Sequence, residues 1–169
     1  MPSFYQKTIK NKIQFKGVGL HSGKHVTMNI LPAAPNHGIV FKRTDLKNKN
    51  LVSAVFDSVS KVVLCTNIQN EFGVSVSTIE HLMGALYGEE IDNLLVEINS
   101  GELPIMDGSA KDFIKQIRAV GTKNYDTPKK FIKVVKKFEL IKDEKYISIE
   151  PYENDLKIDF EIIYKNQLI

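Results

Sequence analysis

Only two stretches of this chain repeat their apolar residues with the period of an α-helix, and both are flanked by runs that alternate with the period of a strand. Ile79, Leu82, Met83 and Leu86 follow Ser77 at i, i+3, i+4 and i+7, and Phe113, Ile114, Ile117 and Val120 form a second stripe that stops at Gly121. Helical and strand periods bury their apolar residues in incompatible geometries, so the chain must build helices and sheet separately and pack one on the other. The alternating runs begin with Ile13/Phe15 and Val26/Met28/Ile30, separated by the three glycines of GVGLHSG, which predicts a hairpin. GIVFKR, VVLCTNI and FGVSVS read as further strands, with Phe72, Val74 and Val76 on one face, and NLLVEIN reads as a buried strand. The expected fold class is α+β: a two-layer sandwich over residues 1–123, two helices on a mixed or antiparallel sheet.

Residues 124–130, within polar GTKNYDTPKK, read as a linker. Beyond them, over residues 131–169, FIKVVKKFELI, KYISIEPY and DLKIDFEIIY alternate as strands with no helix, an unfinished sheet whose apolar face needs a cover from another copy or from further chain. The 169 residues carry 23 Lys and Arg against 20 Asp and Glu, interleaved along the chain, which leaves no concentrated basic stripe for a nucleic acid. A lone Cys65 excludes an internal disulfide and a multi-cysteine zinc cluster, as befits a reducing compartment. No charged start leads into an apolar run, and no apolar stretch reaches membrane-spanning length. A cytoplasmic protein without a transmembrane segment is therefore expected.

Within STIEHLMGALYGEEIDN, Glu80 and His81 admit two readings. Ser77-Thr78-Ile79-Glu80 has the form of a capping box, with Ser77 and Glu80 satisfying each other's backbone N–H groups, and His81 is then a packed ring. Turned at 100° per residue, however, the pair lies away from the Ile79/Leu82/Leu86 face and shares its side with the small residues Gly84, Ala85 and Gly88, which leaves room for a ligand. The helix dipole favours a neutral imidazole at that end, able to ligate a metal.

Taken together and in order, TIKNKIQFKGVGLHSGK, VLCTN, STIEHLMGALYGEEIDN and ELPIMDGSA resemble the first part of the zinc-dependent UDP-3-O-acyl-N-acetylglucosamine deacetylases of lipid A biosynthesis in Gram-negative bacteria. The resemblance implies two similar α+β domains with zinc between them, Glu80 as general base and His81 as a zinc ligand, and Leu64, Cys65 and Thr66 lining the acyl end of a substrate cleft. It also implies two more ligands from an H-x-x-x-D motif in a second domain. That motif is missing from this sequence: His25, Asn29, Phe41 and Ala85 stand four residues beyond His21, His25, His37 and His81. Residues 131–169 are then the opening strands of a truncated second domain. The alternative is a non-catalytic folding or interaction module.

Three other features invite a role. His21 and His25 are four apart, but across a glycine-bounded turn and strand that spacing does not aim two rings at one metal. Cys65 has no neighbour in sequence that would lower its thiol pKa and reads as a small buried hydrophobe. In MDGSA, Asp107 or Ser109 reads as a cap for the second helix.

Overall fold

A row of side chains crosses the main sheet in register, Ile13, Ile30, Val96, Phe41 and Val52, each buried. One residue along, the polar row Gln14, Asn29, Glu97 and Lys42 lies on the opposite face, joined by Gln14–Asn29 and Lys42–Glu97 contacts. Alternation in the sequence thus becomes one oily and one wet face. The computed structural model describes residues 4–153 and 156–163 and divides after Lys129 into two units.

In the first unit the five-stranded sheet runs in the order β2 (Ile13–Val18), β3 (His25–Pro32), β8 (Leu94–Ile98), β4 (Ile39–Arg43) and β5 (Leu51–Ser53), and only the β4–β8 pair is parallel. The expected hairpin is β2–β3. Helices α1 (Glu80–Gly88) and α2 (Lys111–Val120) bring Leu82, Ala85, Leu86, Phe113 and Ile117 to the apolar face, and Phe113 meets Phe15 edge to face at 5.0 Å. Burial of one such side chain stabilises the fold by roughly 1.5–3 kcal/mol. Gly121 ends α2 at φ 73°, in the left-handed region that glycine adopts without a Cβ penalty, and its N–H closes on the Ile117 carbonyl. The unit is α+β, as the periodicities require.

Several local readings need correction. Most of the segment read as a linker, 124–130, belongs to strand β9 (Thr122–Pro128), which pairs antiparallel with β1 (Tyr5–Ile9), and Tyr125 donates its hydroxyl to the Ala33 carbonyl at 2.6 Å. Its polar side chains face outward while its backbone satisfies the edge of β1, so composition misrepresented it. VVLCTNI is a strand only at β6 (Asn67–Gln69), and Val62, Val63 and Leu64 are exposed. FGVSVS narrows to β7 (Ser75–Ser77), with Val76 buried, Val74 half-buried and Phe72 exposed beneath the Lys49 ammonium, 4.0 Å from its ring centroid.

Among its described residues the second unit contains one antiparallel hairpin, β10 (Phe138–Lys142) and β11 (Lys145–Ile149), turning at Asp143 with φ 54°. All strand residues in it are exposed. Of the expected strands, FIKVVKKFELI and KYISIEPY are extended only at this hairpin. No strand occurs among residues 156–163 of DLKIDFEIIY, whose Asp155 and Tyr164 lie outside the described residues. No helix among the described residues is long and apolar enough to cross a membrane.

Candidate active site

The start of α1 is built by contacts distant in sequence. Ser77 ends β7 with its N–H and its hydroxyl both donated to the Gly101 carbonyl, at 2.9 and 3.2 Å, and its own carbonyl accepts the Leu103 N–H. Glu80 turns its Oε2 to the Thr66 N–H at 3.0 Å. The capping box therefore does not form: Ser77 is taken by the 101–103 loop, Glu80 by Thr66, and the helix begins three residues after Ser77, behind Ile79. Between them Thr78 is buried at φ 59°, a conformation that costs a β-branched residue on the order of 1–3 kcal/mol and persists only where surroundings enforce it. Its N–H donates to the Thr66 carbonyl at 3.0 Å and its hydroxyl to Glu102 Oε1 at 3.2 Å.

Thr66 thus spends both backbone groups on the helix start, its N–H on Glu80 and its carbonyl on Thr78. That pairing brings Thr66, the end of the segment Leu64, Cys65, Thr66, to the Glu80 carboxylate. Leu64 is 87% exposed at φ 61°, whereas Cys65 and Thr66 are half-buried. Glu80 and His81 are half-buried as well. Of the small residues expected on their side, Ala85 belongs to the core, but a Cβ added at Gly84 or Gly88 would meet nothing within 4 Å. The open side of α1 is narrower than the helical wheel suggested.

Glu102 is the residue that sequence reasoning missed. Its side chain is buried, and the two oxygens accept the N–H groups of His21 and Ser22, each at 2.8 Å, besides the Thr78 hydroxyl. Burial pushes its carboxyl pKa up, but the hydrogen bonds from His21, Ser22 and Thr78 outweigh that and hold it below the ordinary value. No local pattern marks it, because its partners lie 81, 80 and 24 residues away in sequence.

The remaining candidates are placed as follows. His21, His25 and His37 are exposed, with His37 Nδ1 against the Gly38 carbonyl at 3.0 Å. Asp107 Oδ1 accepts the Ser109 N–H and hydroxyl, an arrangement that lowers its pKa through the Ser109 hydroxyl first, and Ser109 Oγ accepts the Lys111 N–H at the head of α2. This is the capping work expected of MDGSA, although the residue at the helix boundary is Ala110. A surface depression of about 650 Å³ lined by Leu51, Val55, Val59 and Asn70 includes neither Glu80 nor His81.

Among the described residues no three of His, Cys, Asp and Glu converge on one metal position. His81 beside a carboxylate restrained by an amide fits a contribution to a catalytic zinc site, which takes three protein ligands, but one imidazole is not the whole donor set.

Comparison with known proteins extends this geometry. A family model described as UDP-3-O-acyl N-acetylglycosamine deacetylase matches residues 6–169. Proteins named UDP-3-O-acyl-N-acetylglucosamine deacetylase are similar to the chain: that of Pseudoalteromonas atlantica is 45% identical over 159 residues, covering 92% of this chain and 52% of its own length. Those of Aliivibrio fischeri and Stenotrophomonas maltophilia are 42% and 44% identical over 164 residues, covering 97% of this chain and 53% and 54% of their own lengths. The class these matches define is a family of deacetylases. Specifically, the chain belongs to the UDP-3-O-acyl N-acetylglycosamine deacetylase family, and it spans about half the length of the curated relatives it matches.

Proposed function

We propose that this chain supplies the Glu80–His81 part of a zinc-dependent deacetylase site that removes the N-acetyl group of UDP-3-O-acyl-N-acetylglucosamine, a step of lipid A biosynthesis in the cytoplasm of Gram-negative bacteria. The observation that carries the reading is the bond from the Thr66 N–H to Glu80 Oε2, which holds the carboxylate that precedes His81 in the chain and ties Thr66 to it. The names of the relatives support the substrate and the reaction. Family membership does not favour a non-catalytic module.

His81 would hold the metal, with the further ligands coming from a second domain. Zinc held there supplies Lewis-acid polarisation of the acetyl carbonyl and lowers the pKa of water. Glu80 accepts the proton of the attacking water and can return it to the leaving amine, so the products are acetate and the free amino sugar. Holding one oxygen of Glu80 through Thr66 fixes the plane of the carboxylate while its second oxygen remains to take the proton. The exposed Leu64 and half-buried Cys65 supply apolar surface for the 3-O-acyl chain beside that base.

The test completes the chain to the length of its relatives, for example with the remaining part of the Pseudoalteromonas atlantica protein, and measures bound zinc and acetate release with and without that part. Equimolar zinc and acetate production are expected only from the completed protein. Tight equimolar zinc with turnover by the 169 residues alone, or no acetate from a folded, zinc-loaded completed protein, would overturn the proposal.

A further inference from the structure

We propose that Glu102 is a positioning residue for the Glu80–His81 pair, its buried carboxylate tying the glycine-rich turn at residues 19–22 to the strained residue that precedes α1. The consequence for turnover rests on the deacetylase reading, whereas the linkage itself rests on geometry. Glu102 has three hydrogen-bond donors from two separate segments: the adjacent backbone amides of His21 and Ser22, one to each carboxylate oxygen, and the Thr78 hydroxyl. The donors His21, Ser22 and Thr78 are 81, 80 and 24 residues from Glu102 in sequence. Their common attachment is therefore a tertiary clamp.

The turn is shaped to receive the carboxylate. A Cβ added at Gly19 would lie 2.5 Å from Glu102 Oε2 and 2.4 Å from Ser22 Oγ, so this position admits only glycine while Glu102 keeps its seat. On the other side, Thr78 is held at φ 59° by its N–H to the Thr66 carbonyl and by its hydroxyl to Glu102. Two residues further on, the Glu80 carboxylate accepts the Thr66 N–H. Release of the Thr78 hydroxyl frees the backbone to leave the left-handed region, and Glu80 then loses the angle from which it meets Thr66. Glu102 acts on the candidate base through Thr78, without touching the reacting atoms.

A carboxylate that merely braced its own turn would affect His21 and Ser22 and stop there. Thr66 is the discriminating reporter, because its amide touches Glu80 and not Glu102. Amide hydrogen exchange on the 169-residue chain tests this. Thr78→Val keeps the shape and removes the hydroxyl: Thr66 should exchange at least tenfold faster, with His21 and Ser22 unchanged, and Thr78→Ser should restore Thr66. Glu102→Gln offers an amide donor where two N–H donors point, so the His21 or Ser22 amide and Thr66 should both accelerate. Met28 and Val96 in the main sheet should hold their rates in all variants. Unchanged Thr66 exchange in Thr78→Val, or acceleration that extends equally to Met28 and Val96, overturns the linkage. In the completed protein, Thr78→Val should lower kcat about tenfold with little change in KM, and Thr78→Ser should recover it. If the completed parent protein released no acetate, the deacetylase reading would fail, while the exchange pattern would still decide the linkage.

Discussion

Replacing Glu80 with Gln separates what its carboxylate does for the fold from what it does for chemistry. In the structure Glu80 is half-buried, accepts one hydrogen bond from the Thr66 N–H at 3.0 Å and is the acidic residue in the first turn of α1. Gln can accept the same N–H through its amide oxygen, so what disappears is the charge on that bond and its interaction with the helix dipole. A charged acceptor is worth about 1 kcal/mol more than a neutral one, and an acidic residue in the first turn about 0.3–1 kcal/mol, both reduced here by partial exposure. The net cost should be on the order of 1 kcal/mol, a fall in melting temperature of about 3 °C. Glu80→Ala, which leaves the Thr66 N–H without this acceptor, should cost about twice that. Turnover follows a different order. Neither variant can accept a proton, so in the completed protein both should lose roughly two orders of magnitude or more in kcat, a barrier increase of about 2.7 kcal/mol. Thermal melts and acetate release on the same preparations provide the comparison. A Gln variant with near-parental kcat beside a slow, unstable Ala variant would show that Glu80 serves only to hold Thr66, and the base assignment would be refuted.

Other consequences are equally accessible. Gly19→Ala, whose Cβ meets Glu102 Oε2 at 2.5 Å, should destabilise the first unit by about 1–3 kcal/mol in denaturant melts. Because Glu102 has its pKa lowered on folding, the unfolded chain binds its proton first as pH falls, so the Glu102 contribution is complete above the ordinary value of about 4.5 and is lost as pH drops through the folded value. The stability gap between the parent chain and Glu102→Gln should therefore narrow from pH 7 towards pH 3, and a gap constant with pH would contradict the assignment. Leu86→Ala, at a core position only 1% exposed, should cost about 2–5 kcal/mol without altering the exchange of Thr66 relative to its neighbours.

The periodic parts of the chain were legible because periodicity reports a face. The stripe Phe113, Ile114, Ile117 and Val120 with its terminal Gly121 defined α2, and Ile13/Phe15 against Val26/Met28/Ile30 gave the hairpin β2–β3. β9 was hidden because it pairs through its backbone with β1 and carries polar side chains. At the site, the pair Glu80 and His81 was visible as residue types, but the capping reading failed because Ser77 found Gly101, 24 positions away, and Glu80 found Thr66 behind it. Glu102 could not be recognised from local pattern, since its meaning lies in amides about 80 residues earlier. Local rules describe caps well only when no tertiary partner competes for the same atoms.

The central claim is that the start of α1 provides the chain's zinc ligand. It is tested most directly by metal analysis of His81→Ala, His25→Ala and His37→Ala in the completed protein, each confirmed folded by its melt. The account predicts that His81→Ala loses tight zinc, one of three protein ligands being gone, while the other two variants keep one zinc per chain as in the parent. Full zinc in His81→Ala, or loss of zinc in His25→Ala or His37→Ala, would contradict it.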